Sequence, residues 1–199
     1  LTTPLPTGFS EQIHELLPEE APALLRALDE EPSVSIRLNA RKSKGINLDL
    51  ALGDAVPWAR PLGYYLDQRP SFTADPLWHA GCYYVQEASS MLLSLVKPLL
   101  GKSPLTALDL CAAPGGKSTL LLDLLPEGSV LVSNELIRSR AQILAENIQK
   151  WGSTLSIVTS TEPRALGKLR TTFDFILVDA PCSGEGMLRK DEEARRQWS

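Results

Sequence analysis

The chain has 199 residues, 43% of them hydrophobic, enough for one sizeable core or for one core and a small appended domain. Its 20 Lys and Arg stand against 24 Asp and Glu, a formal charge of −4, which excludes a bulk basic field for nucleic acid and confines such binding to local patches. Cys82, Cys111 and Cys182 match no zinc spacing and cannot all pair, the chain opens on Leu1 without a charged-then-apolar leader, and no apolar run reaches membrane length, so reduced thiols and a cytoplasmic protein are expected.

Two textures meet near residue 75. Before it, residues 9–17 and 21–29 read as short helices with Ser10 and Pro22 as start signals. Residues 33–38, SVSIRL, alternate like a strand. A stretch rich in Pro, Gly and aromatics then runs from Pro57 to Pro76. After residue 75 a regular rhythm begins. Residues 85–96 carry an apolar helix pattern stopped by Pro98, and Thr106 to Leu110 form a strand. A glycine turn and a leucine-rich helix ending near Pro126 follow. Next come a strand over 129–133, a helix over 137–151 closed by Gly152, and strands over 155–159 and 173–178. Alternating strands and helices predict an α/β fold, a parallel sheet with helices on both sides. Right-handed crossovers make it doubly wound. No internal repeat or low-complexity stretch is present.

The first strand of this rhythm runs into Cys111-Ala112-Ala113-Pro114-Gly115-Gly116-Lys117-Ser118. Small residues and two glycines let backbone amides approach a ligand, at the N-terminus of the helix that follows. Nineteen residues after Gly116 stands Glu135, just past the second strand, where an acid is placed to accept both hydroxyls of an adenosine ribose. The plain alternative is a tight turn and a solvated glutamate; the order strand, turn, helix, acid favours the ligand. The dinucleotide fingerprint G-x-G-x-x-G is absent. A P-loop needs a first glycine where this chain has Cys111, and has no use for Glu135. A ligand with an adenosine and no polyphosphate, S-adenosyl-L-methionine, fits better, with a P-loop-like nucleotide-binding protein as the less favoured alternative.

The fourth strand ends in Asp179-Ala180-Pro181-Cys182-Ser183-Gly184-Glu185-Gly186-Met187. Open parallel sheets bind ligands at the carboxyl ends of their strands, so Asp179 and Cys182 are expected to face the turn at 111–117. The alternative for Cys182 is a buried small hydrophobe. Pro181 and the two glycines make its surroundings a loop.

LDLCAAPGGKS, then VSNE, then VDAPCSGEGM together resemble the Sun-type RNA (cytosine-5) methyltransferases, and SIRLNARK and YYVQEASSM are similar to the bacterial ribosomal-RNA branch of that family. The resemblance covers nearly the whole chain. It implies a Rossmann-like class I methyltransferase core over 76–199, C-terminally incomplete with strands ordered 3-2-1-4, behind a small α+β RNA-binding region over 1–75. It places the S-adenosyl-L-methionine site on Cys111, Ala112, Ala113, Pro114, Gly115, Gly116, Lys117, Glu135, Asp179 and an acid after the third strand. The family usually has aspartate at that last position; here it is Thr161-Glu162-Pro163, and Glu162 is the candidate.

Carbon 5 of cytosine is a poor nucleophile. A thiolate adding to carbon 6 makes the ring an enamine, Asp179 is the candidate carboxyl for ring nitrogen 3, and Lys117 supports the base edge or lowers a neighbouring thiol's pKa. The resemblance implies that the nucleophile is a second cysteine, on a Thr-Cys loop after the fifth strand, and that the Pro-Cys thiol, here Cys182, assists release. None of the three cysteines occupies such a loop, so the expectation is that this chain binds cofactor but does not methylate RNA, ribosomal RNA being the expected substrate. A non-catalytic cofactor- and RNA-binding module is the alternative. With the fourth strand at an open edge, a second copy is a candidate to cover it. His14 and His79 read as surface or capping residues, and Tyr64, Tyr65, Tyr83, Tyr84 and Trp78 as core packing ahead of base stacking. Arg37, Arg41, Lys42 and Lys44 read equally as a phosphate patch or a solvated face.

Overall fold

Helix α1 runs from Thr7 to Leu16 and α2 from Ala21 to Asp29, close to their expected spans. Pro6, not Ser10, stands at the first N-cap. The Ser10 hydroxyl donates back to the Pro6 carbonyl (3.3 Å) from inside the helix, the local bond that makes serine an ambiguous start signal. Pro22 sits in the first turn of α2, where its missing N–H would have had no partner. The computed structural model describes residues 3–169, 173–182 and 184–198; Ser183 of the Asp179–Met187 motif, Leu1 and Ser199 lie outside the described residues.

An antiparallel sheet follows, which the sequence disclosed only through its first strand. It comprises β1 (Val34–Leu38), β2 (Leu52–Ala55), β3 (Gly63–Leu66) and, after helix α3 (Pro76–His79), β4 (Tyr83–Val85), in the order β2-β3-β1-β4. Strands β2 to β4 have four residues or fewer, too few to display alternation. Ile36, Leu66, Cys82 and Tyr83 form their core. The helix expected over 85–96 is instead a 3₁₀ stretch, Ser89–Leu100, with Pro98 inside it. Proline forbids the α-helical bond to the carbonyl four residues back, and an apolar pattern over three turns does not separate a repeat of 3.0 from one of 3.6.

From Thr106 onward β5 (Thr106–Asp109), α4 (Gly116–Leu124), β6 (Val130–Asn134), α5 (Arg138–Trp151), β7 (Ser156–Thr159) and β8 (Phe175–Leu177) lie close to their expected spans, and a one-turn helix that the sequence did not indicate, α6 (Pro163–Leu166), precedes β8. The strands are parallel and ordered β7-β6-β5-β8, the 3-2-1-4 arrangement of a Rossmann-like core. Gly152 closes α5 in the left-handed region, its N–H on the Ile148 carbonyl (3.1 Å). One expectation needs correction: within Val34–Ala180 the described helices α4 and α5 pack on one side of this sheet and not on both. Ala107, Leu121 and Leu131, with Ala112, Leu144 and Ile148, bury the side facing α4 and α5. On the opposite side Ile157, Val132, Leu108 and Ile176 form an in-register row, and Ile157 and Ile176 are each 53% exposed. Helix α6 is a single turn and buries nothing.

The described chain forms two compact units, Val34–Ala180 and Leu1–Ser33 with Pro181–Ser199. In the smaller one, α7 (Glu192–Gln197) carries the buried Arg195, which donates to the Leu28 carbonyl (3.0 Å) and pairs with Asp29 (2.9 Å). Trp198 meets Phe9 edge to face at 5.8 Å. No helix among the described residues is long and apolar enough to cross a membrane.

Candidate functional site

At the carboxyl end of β5 the chain leaves Asp109 and turns through residues 110–115 into α4. Gly115 makes the turn at φ 113, and a Cβ there would lie 3.2 Å from Leu144 of α5, so both conformation and space call for glycine. Beside this turn is a cavity of about 190 Å³. Cys111, Ala112, Ala113, Pro114, Gly116 and Lys117 form one wall, and Tyr84 to Glu87 with Ser90 form the other. Asp109 and Asp179 complete it, because β5 and β8 are neighbours and end at the same level.

The charges are arranged around two carboxylates. Asp179 is ion-paired with Lys117. Asp109 is 1% exposed and accepts from the Ser118 hydroxyl (2.6 Å). Burial pushes its pKa up to about 6, against the pull of that hydrogen bond, with Asp179 adding to the rise. Burial likewise raises the Cys111 thiol, with Glu135 the next cause, so this thiol is held away from its reactive form. Two residues that line the cavity each carry a buried polar atom with no hydrogen-bond partner among the described residues: Asp109 Oδ1, an acceptor, and Gln86 Nε2, a donor. Unpaired buried groups are unfavourable and call for a partner.

Gln86 is held by its other atom. Its Oε1 accepts from Arg37 Nε (2.9 Å), and the Arg37 guanidinium also pairs with Asp123, donates to Thr119 (2.6 Å) and lies 4.4 Å over the Trp151 ring. Arg37 is 1% exposed, which removes it from any phosphate patch: it joins β1 to α4 and α5. Burial lowers its pKa to about 10, partly offset by Asp123.

Glu135 is buried after β6. Its Oε1 accepts from the Ile137 N–H (2.9 Å), and its Oε2 lies 3.3 Å from Arg140, which also donates to the Ala113 carbonyl (2.9 Å). Glu162 is exposed at the N-cap of α6. Neither acid lines the cavity described above. Between them Asn134 takes Thr159 Oγ1 and Thr161 N–H on its oxygen and donates to the Leu110 and Thr161 carbonyls, which ties together the ends of β5, β6 and β7. Cys182 is exposed and belongs to the smaller unit.

The structure thus brings Asp179 and Lys117 to the turn. It adds Asp109, Gln86, Asn134 and Arg140, which the sequence did not single out. Asp109 and Asn134 stood inside the quoted motifs, and only their position at strand ends could have marked them. Gln86 stood inside YYVQEASSM, but its place depends on pairing between β1 and β4, which no local signal shows. The P-loop alternative loses its hydroxyl, since Ser118 is buried and donates to Asp109. His14 and His79 bond the backbone carbonyls of Ser10 (2.7 Å) and Thr73 (2.9 Å) from exposed positions, in keeping with surface or capping residues.

Residues 99–199 match a family profile described as 16S rRNA methyltransferase RsmB/F, and residues 5–88 match the N-terminal domain of 16S rRNA methyltransferase RsmF. A ribosomal RNA small subunit methyltransferase F of Aeromonas salmonicida is 37% identical over 99% of this chain and 44% of its own length. Its counterpart in Shewanella loihica is 42% identical over 73% and 31%. The chain therefore spans less than half the length of these curated relatives. Among solved structures, a methyltransferase homolog protein from Pyrococcus horikoshii is 28% identical and superposes with a TM-score of 0.74 over 93% of this chain and 62% of that one.

Proposed function

The chain belongs to the RsmB/F family of 16S rRNA methyltransferases, and on that premise we propose that it is the cofactor-binding part of an enzyme that methylates carbon 5 of a cytosine in ribosomal RNA, with S-adenosyl-L-methionine as methyl donor. The observation that carries the cofactor is the pair of partnerless groups on residues that line the cavity. An amino-acid end needs an acceptor for its ammonium and a donor for its carboxylate, and Asp109 Oδ1 and Gln86 Nε2 are those two groups. The small-residue wall from Cys111 to Gly116 leaves room for the rest, and Glu135 and Glu162 are assigned to the adenosine end. Bound there, the cofactor supplies an electrophilic methyl group.

The chain's own residues prepare the base. The Lys117 ammonium, held by Asp179, is assigned to offset the negative charge that spreads to ring nitrogen 3 when a thiolate forms its bond to carbon 6, with the Asp179 carboxyl passing a proton from the ammonium to that nitrogen. That bond places an electron pair at carbon 5. After transfer, loss of the carbon-5 proton returns the pair to the ring and breaks the sulfur–carbon bond. Cys182 is assigned to this release step, as the resemblance implies, and the nucleophile to a cysteine beyond the three of this chain. Residues 1–75 are assigned to RNA and 76–199 to methyl transfer, and three free thiols suit a reducing compartment such as the cytoplasm.

Calorimetry of the full chain with S-adenosylhomocysteine tests the cofactor site. Binding is expected, weaker by about tenfold in Asp109→Asn and in Gln86→Leu, each a loss of one charge-assisted hydrogen bond. A folded chain that binds ATP and not S-adenosylhomocysteine would sink the proposal.

A further inference from the structure

A second cavity, of about 290 Å³, backs onto the first: Tyr84 and Val85 line both. Its other walls are Phe72 and Trp78 on one side and Asn147 and Lys150 of α5 on the other. Phe72, Trp78, Tyr84 and Lys150 are half-buried, unlike the neighbouring Tyr83, which is wholly inside the core. So four side chains that the core does not fully absorb converge on one hollow.

The cations here are local, in a chain of net charge −4. Lys150 Nζ lies 3.9 Å from the centroid of the Trp78 ring, and the Arg69 guanidinium lies 5.9 Å from that of Phe72. Lys42 Nζ donates to the carbonyls of Lys150 (2.6 Å) and Ala80 (3.0 Å). Of the acids nearby, Asp75 is engaged by the Leu77 N–H and the Tyr83 hydroxyl, and Glu146, one turn before Lys150 on α5, partly balances its ammonium. Burial lowers the Lys150 pKa, so this ammonium is short of water. Asn147 commits its amide N–H to the Pro114 carbonyl (2.8 Å) of the cofactor turn, which leaves its oxygen as an acceptor.

We infer that this pocket holds one unpaired nucleotide of the RNA, adjacent to the base being methylated. The base stacks on the Trp78 and Tyr84 rings, its edge meets Asn147, and its phosphate lies against Lys150 and Arg69. Aromatic faces flanked by cations with an amide acceptor are how single-stranded bases are held. An apolar peptide groove would have no use for the cations. The shared Tyr84–Val85 wall sets the nucleotide beside the cofactor cavity. The inference rests on the reading of RNA as substrate.

The test uses the full chain and a short unstructured fluorescein-labelled oligoribonucleotide, followed by anisotropy. Trp78→Leu is expected to weaken binding about tenfold, while Trp78→Phe, which keeps a ring, stays within about twofold. Lys150→Gln is expected to weaken binding and to lower the slope of log affinity against log salt by about one. Circular dichroism and an unchanged affinity for S-adenosylhomocysteine check the fold of each variant. If Trp78→Leu does not fold, the Lys150→Gln slope and an oligomer with abasic sites carry the test. A folded Trp78→Leu that binds like the parent, or abasic RNA that binds as well as the normal strand, overturns the inference. A chain that binds S-adenosylhomocysteine but no RNA overturns it while leaving the cofactor site standing. A folded chain that binds neither overturns the functional reading as well.

Discussion

Asp109 couples the cavity to pH. Its ordinary value of 3.8 is raised to about 6 by burial. Below pH 3.8 the carboxyl is neutral in both folded and unfolded chains and has no effect on stability. As pH rises through 6 the folded chain must hold a buried charge, at a cost on the order of 3 kcal/mol that is fully present above pH 6. Asp109→Asn should therefore melt higher than the parent at pH 7, with the gap shrinking between pH 6 and pH 4; parallel melting curves across that range would refute it. A bound ammonium favours the ionised carboxylate, so S-adenosylhomocysteine should bind the parent more tightly at pH 7 than at pH 5, a trend Asp109→Asn should lack. The motif LDLCAAPGGKS contains both Asp109 and its partner Ser118, but the burial of Asp109 could not be read there, because packing in the folded chain creates it.

At the scale of elements, Arg37 holds β1, α4 and α5 together from inside. Arg37→Met would strand Asp123, whose pKa burial already raises against the pull of Arg37. We expect a loss of about 3–5 kcal/mol in urea unfolding, and a double variant Arg37→Met/Asp123→Leu that recovers much of it, since apolar replacements leave no orphan charge. A double variant no more stable than Arg37→Met would argue that the arginine acts through Trp151 and Thr119 instead. The parallel half was legible because each of its signals is local: five-residue apolar runs, a two-glycine turn, a terminal Gly152. The antiparallel half was not, because strands of three and four residues are defined only by their partners. Pro98 misled for a related reason, since a 3₁₀ stretch tolerates what an α-helix would not.

The whole molecule spans less than half of its curated relatives. We expect the 199-residue chain to bind S-adenosylhomocysteine yet transfer no methyl group to RNA, and a protein of the relatives' length to do both. In that longer protein Cys182→Ala should accumulate a covalent RNA–protein adduct, seen as a slow band on a denaturing gel; dead chemistry with no adduct would make Cys182 the nucleophile. Ile157 in β7 and Ile176 in β8, the two edge strands of the described sheet, are exposed and should make the chain self-associate. Sedimentation should show association that Ile176→Lys reduces, and a monomer at every concentration would count against it. By itself the sequence determined the alternation of strands and helices after residue 75, the turn that opens α4 and the placing of Asp179 toward that turn, and its resemblance to a family supplied the strand order. The first three follow from neighbouring residues and from the strand ends at which parallel sheets bind their ligands. Only the tertiary structure decided that Arg37 is buried, that Gln86 faces Gly116, and that Trp78, Tyr84 and Lys150 share a hollow. Each depends on segments dozens of residues apart coming into contact, and burial and pairing are properties of those contacts rather than of any one segment.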